Sequence, residues 1–161
     1  MIARIIHLAD IHIRDAGRPA FAAALRELSA RIADIPQDSV PMVAIIAGDV
    51  FHYKARLSAE NIADCYALFD CLAARASSIV IIPGEHDDLL SSIIDNVRAL
   101  PNGAKIRYWR YNNWYAVPDI PEIVYYVFAQ IAPPKTLPAS AQARAMFRVA
   151  LAHDSEARIP R

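Results

Sequence analysis

A largely parallel α/β fold is predicted by three observations: short β-branched apolar runs alternate with amphipathic helical stretches, the runs are continuously apolar, and the connections between them are short. Residues 2–9, Ile-Ala-Arg-Ile-Ile-His-Leu-Ala, read as a first strand, with His7 a satisfied histidine in a buried strand. Phe21, Leu25, Leu28 and Ile32 recur at helical spacing and predict an amphipathic helix. Residues 40–47 form an apolar run too short for a helix, bounded by Pro36-Gln37-Asp38 and Gly48-Asp49, hence a strand buried on both faces. Ser58 can cap a second helix whose stripe is Ile62, Cys65, Tyr66, Phe69, Leu72 and Ala73. Residues 78–83 give a third strand, and Leu89, Leu90, Ile93, Ile94 and Val97 a third helix ending near Pro101-Asn102-Gly103. Residues 104–131 change character. They are aromatic and β-branched with turn signals at Asn112-Asn113 and Pro118-Asp119, which predicts antiparallel strands. A proline-rich loop over 132–138, a short Ala-rich helix over 139–146 and a strand over 147–152 complete the reading.

The chain has 161 residues, 55% of them hydrophobic, enough for a substantial core in one domain spanning 1–161. Seventeen basic residues balance seventeen acidic ones, which removes any bulk electrostatic attraction to nucleic acid and leaves only local contacts. Cys65 and Cys71 sit six apart on different sides of a helical pattern, so a disulfide framework and a zinc ribbon are both excluded. No apolar run approaches the roughly 18 residues of a membrane span, and charge interrupts the first ten residues too early for a secretory signal. An intracellular protein without membrane contact is expected.

In open α/β sheets chemistry sits beyond the carboxyl ends of the strands, and here each such end carries ligand-type residues. The first run leads into Asp10-Ile11-His12, the second into Gly48-Asp49 and His52, the third into Gly84-Glu85-His86-Asp87, and the last into His153-Asp154. Four of the five histidines of the chain fall at these ends. Residues two apart in a strand point the same way, so Asp10 and His12 can face one ion, and a carboxylate such as Asp49 can bridge to a second. Mixed imidazole and carboxylate donors suit manganese, iron or zinc better than calcium. Two of only four glycines, Gly48 and Gly84, immediately precede a candidate ligand, where tight geometry near an ion would exclude a side chain.

These residues resemble the calcineurin-like metallophosphoesterase superfamily. The stretches His7-Leu-Ala-Asp-Ile-His-Ile13, Ala47-Gly-Asp-Val-Phe-His52 and Ile81-Ile-Pro-Gly-Glu-His-Asp87 are similar to those of SbcD-like nucleases of DNA double-strand-break repair. The resemblance implies a layered sandwich, covering the first part of the family's catalytic domain with its C-terminal portion absent. It implies two divalent ions, manganese first, with iron or zinc as alternatives. Asp10, His12 and Asp49 would hold one, and Asp49, Glu85 and His153 the other. His86 would protonate or stabilise the leaving oxygen, and His52 would assist at the phosphate. Apart from the resemblance, Lys54 and Arg56, close behind His52, are placed to meet a phosphate chain. Implied partners are DNA, as single strands or duplex ends, an SMC-like coiled-coil ATPase and a second copy of the chain. The implied location is the cytoplasm, nucleoid or nucleus.

Two departures stand beside it. Glu85 replaces the family's Asn, adding negative charge where an anionic phosphate must approach. The family's later His-x-His pair is absent, since no histidine follows His153. The rival readings are a shortened relative that binds or scaffolds without hydrolysis, a phosphodiesterase of nucleotides or small esters, and an N-terminal fragment of a longer enzyme. The basic and aromatic segment around Lys105, Arg107, Trp109 and Tyr111 reads as a half-buried sheet edge in preference to a DNA platform.

Overall fold

A computed structural model describes residues 3–128 and 147–153. Strands β1 (Arg4–Ala9), β2 (Met42–Ala47), β3 (Ser78–Ile82) and β4 (Ile106–Tyr108) form one sheet in that spatial order, every neighbour parallel. The crossovers are helices α1 (Arg18–Ala33), α2 (Ala59–Ala73) and α3 (Leu90–Val97). A second sheet contains β5 (Asn113–Ala116), β6 (Ile123–Phe128) and β7 (Phe147–Ala152), with β5 and β6 antiparallel and β6 and β7 parallel. The predicted α/β class, with its parallel sheet and helical crossovers, is what the chain forms. Ser58 caps α2 through a reciprocal box: its Oγ accepts from the Asn61 N–H, and the Asn61 side chain accepts from the Ser58 N–H.

Two apolar layers sandwich the first sheet. On one side Ala44, Ile46, Ile79 and Ile81 pack with Cys65, Leu68, Phe69 and Leu72 of α2 and with Leu90 and Ile94 of α3. On the other, Val43, Ile45, Val80 and Ile82 meet Tyr125, Val127 and Leu151 of the second sheet. Every residue of β2 and β3 is therefore buried.

Three expectations need correction. The segment after residue 104 is not wholly antiparallel: β4 follows α3 as a helical crossover and so adds parallel to β3, and β7 also runs parallel to β6. Strand β1 is not buried on both faces, because it lies at the sheet edge, and its residues alternate between half-buried and exposed. His7 is consequently exposed. The expected loop over 132–138 and helix over 139–146 lie outside the described residues. Around β4, the Lys105 ammonium donates to the Ala73 carbonyl at 2.5 Å and Arg107 donates to Ser78 Oγ at 3.3 Å. Trp109 is buried and stacks on Tyr115 at 4.8 Å between ring centres. Those residues form a packed sheet edge as expected, whereas Tyr111 is exposed. Both cysteines are free thiols, and among the described residues no helix is long and apolar enough to cross a membrane.

Candidate metal centre

Register pairs Ala9 with Ala47, so β1 and β2 end level with each other. Beyond that point their loops remain joined by main-chain hydrogen bonds. The N–H groups of Asp10, His12 and Ile13 donate to the carbonyls of Gly48, Asp49 and Val50 at 3.2, 2.9 and 2.9 Å, and His52 N–H returns one to Ile13 at 3.1 Å. Within this joined segment Asp10, His12 and Asp49 have φ of 52°, 50° and 51°, the only described residues other than glycine in the left-handed region. That conformation costs a side-chain-bearing residue roughly 1–2 kcal/mol. Its restriction to three candidate ligands is strain concentrated at a functional site. Asp10 and His12 thus share a direction for a different reason than strand alternation. Both lie past the end of β1, where left-handed residues turn the chain.

One donor atom from each of Asp10, His12 and Asp49 lies within 4.8 Å of the others. His12 Nε2 stands 3.9 Å from Asp10 Oδ1 and 3.7 Å from Asp49 Oδ2. His153, just past β7, brings its Nε2 to 3.2 Å from Asp10 Oδ1 and 4.0 Å from Asp49 Oδ2. Two donors each about 2.1 Å from a common ion are at most about 4.2 Å apart, so these four contacts fit shared coordination. Among the described residues the buried Nδ1 atoms of His12 and His153 have no hydrogen-bond partner, and the polar contacts of both rings run through the Nε2 that faces the carboxylates. The donor set and its spacing therefore suit a divalent transition metal.

Asp49 is the hub. Its Oδ1 accepts the main-chain N–H of His86 at 3.0 Å, which leaves Oδ2 facing the imidazoles of His12, His86 and His153. His86 Nδ1 is 2.7 Å from the His52 carbonyl, an acceptor only, so that nitrogen carries the proton and Nε2 is turned to Asp49 at 4.0 Å. The His52 ring stacks on His86 at 6.1 Å and meets His12 edge-on at 5.5 Å. Burial first, then unfavourable electrostatics with Arg14, His12 and His86, hold its pKa below the ordinary value.

The glycines have a sharper role than closeness to an ion. A Cβ on Gly48, whose φ is +74°, would run into the His153 ring, and one on Gly84 would run into the Asp49 carboxylate. Space taken by the ligand side chains themselves dictates both positions. Asp87, given no role from the sequence, is buried and accepts the N–H groups of Gly84 and Phe51 at 3.0 and 3.3 Å. It ties the third ligand loop to the second, and burial pushes its carboxyl above the usual range. Asp15 was also missed. Its Oδ1 accepts from Ser58 Oγ at 2.6 Å and Asn61 Nδ2 at 2.8 Å, anchoring the chain after His12 to the start of α2.

A cavity of about 510 Å³ is lined by Asp10, His12, Asp49, Glu85, His86 and His153. His7 lines it too, which the sequence reading did not expect. Glu85 is exposed there, and among the described residues the one trio gathered within 4.8 Å excludes it. Lys54 and Arg56 are exposed on the loop after His52 and do not border this cavity. Asp154 lies outside the described residues.

The profile of the Calcineurin-like phosphoesterase family matches residues 3–144. A protein of Acanthamoeba polyphaga mimivirus, "Uncharacterized protein R555", is 29% identical over 110 residues, which cover 63% of this chain and 8% of that protein. The chain thus spans a small fraction of the length of that curated relative.

Proposed function

This chain belongs to the calcineurin-like phosphoesterase family, whose members are metal-dependent phosphoester hydrolases, and from that premise we propose that it cleaves phosphodiester bonds of DNA in the manner of the SbcD-like nucleases. The observation that supports the hydrolytic reading is the convergence of Asp10, His12 and Asp49, all in left-handed backbone, with His153 against two of them. Asp10, His12 and Asp49 would hold one divalent ion, and Asp49, His153 and Glu85 a second. Bound there, such ions supply an activated water and take up charge on the phosphoryl oxygens. Manganese is the metal we would try first, with iron or zinc next.

The chain's own residues do the rest. Asp49 is oriented by the His86 N–H, so one carboxylate oxygen is fixed while the other points into the cavity. His86, held at Nδ1 by the His52 carbonyl, can carry a second proton on Nε2 and pass it to the departing oxygen. An N–H of the His52 ring can donate a hydrogen bond to a phosphoryl oxygen. Lys54 and Arg56 lie along the continuation of the His52 loop and would meet flanking phosphates.

Glu85, exposed and outside the gathered trio, favours one rival: a relative that binds one ion and holds a phosphoester or partner without efficient turnover. The two part on a single assay. Metal content and cleavage of single-stranded and duplex DNA are measured with added manganese for the native chain and for Asp49→Asn and His86→Ala. The nuclease reading expects manganese-dependent cutting lost in both variants. Metal binding without cutting of any phosphodiester refutes it and supports the binding module. A coiled-coil ATPase partner and a second copy of the chain belong to the same proposal and would be sought by co-purification.

A further inference from the structure

A second cavity adjoins the metal centre. It measures about 580 Å³, within the roughly 300–1,000 Å³ range of small-molecule sites. Its apolar walls are Leu8, Ile11, Phe21, Leu25, Leu28 and Leu68, contributed by β1, the following loop, α1 and α2. Its α1 wall is only partly covered. Of the sixteen residues of α1 only Ile32 is buried, and Phe21, Leu25 and Leu28 remain half-buried around open space. A helix that merely closed the core would bury that stripe.

One end of this cavity is polar and belongs to the chemistry. His12 lines both cavities, and His52 and Arg14 border the apolar one beside it. A group lodged among the leucines is therefore one side chain away from the metal centre. Among the described residues no carboxylate borders the apolar cavity, and the one charged lining residue is Arg14. We propose that this cavity binds the uncharged apolar ester group of a phosphodiester substrate whose phosphate sits at Asp10, His12 and Asp49. A nucleobase is a poorer occupant, because its polar edges would face Phe21, Leu25 and Leu28 with no hydrogen-bonding side chain among them. The inference rests only on the metal-dependent hydrolysis of phosphodiesters proposed above, and it competes with DNA as the substrate, since it favours esters with an apolar alcohol. Hydrolysis consumes one water and returns a phosphomonoester and an alcohol, with no other reactant.

The test uses the manganese-loaded chain and p-nitrophenyl phosphodiesters whose second ester group is methyl, butyl, hexyl or thymidine. We expect kcat/KM to rise by about two- to fourfold per methylene from methyl to hexyl, the gain that burying each methylene predicts. Ala24 lines the cavity, so Ala24→Trp fills it and flattens that series, and Ala20→Phe, at a second lining position, does the same. Ala23→Trp, on the same helix outside the cavity, keeps the series steep. A flat series in the native chain, a steep one in Ala24→Trp and Ala20→Phe, or a thymidine ester that gains as much as hexyl each overturns the proposal. Calorimetric binding of methyl and hexyl phosphate separates the two readings. Affinity that rises with chain length, without hydrolysis of any ester, keeps the cavity and refutes the hydrolase. Hydrolysis with affinity indifferent to chain length does the reverse.

Discussion

Strands β1 and β2 are neighbours of equal length, paired in register, and each runs into an aspartate in left-handed backbone. Their surroundings differ. Every residue of β2 is buried, whereas β1 alternates half-buried with exposed positions. The aspartates inherit the difference: the Asp49 side chain is 8% exposed and the Asp10 side chain 62%. The central strand thus delivers a carboxylate already desolvated and fixed by the His86 N–H, while the edge strand delivers one that faces water and is met by His153. Both carboxylates face the candidate metal cavity, but only Asp49 is built into the core.

The largest effect should come from testing that asymmetry directly. Asp49→Asn should lower manganese affinity by at least about 100-fold in a chelator-competition titration, and Asp10→Asn by about tenfold, since metal affinity follows ligand charge and the groups that orient it. Equal losses, or the reverse order, would break the comparison. Stability should divide the same way. Ile46→Ala in β2, fully buried, should cost about 2–5 kcal/mol in urea unfolding, and Ile5→Ala in β1, which is 43% exposed, less than about 1 kcal/mol.

Gly48→Ala sharpens the picture at the turn itself. Its positive φ and the collision with His153 should destabilise the chain by about 1–3 kcal/mol and raise the manganese dissociation constant, read by thermal unfolding and by the same titration. The smallest effect lies at the start of β1, where the Arg4 guanidinium grips Asp38 through 2.5 and 2.6 Å contacts and holds its pKa at about 2. The folded value lies below the unfolded value of about 3.9, so this pair's contribution is present above that pH and lost as pH falls through about 2. Asp38→Asn should therefore differ slightly from the native chain near pH 6 and match it near pH 2 in denaturant titrations.

Much of this could be read from the sequence. Continuous apolar runs gave β2 and β3, helical spacing gave α1 and α2, and Ser58 announced its cap, because these are local patterns. The residues that converge at the candidate site could also be read, since histidines and acids stood together after each run. What could not be read is relational. The run containing His7 is interrupted by Arg4 and His7 where β2 is wholly apolar, a hint of an open face, but nothing local places it at the sheet edge. The parallel pairing of β4 was implied by α3 yet masked by the aromatic composition around Trp109. Asp87 reaches Phe51, 36 positions away, and Asp15 reaches Ser58 and Asn61, 43 and 46 away, and no short spacing records those bonds.

The central claim is that Asp10, His12 and Asp49 bind one divalent ion together. The most direct measurement is anomalous diffraction at the manganese edge from crystals grown with that metal. A peak within bonding distance of all three side chains is expected. A metal bound elsewhere, or these three side chains intact and ordered around no peak at saturating manganese, would contradict it.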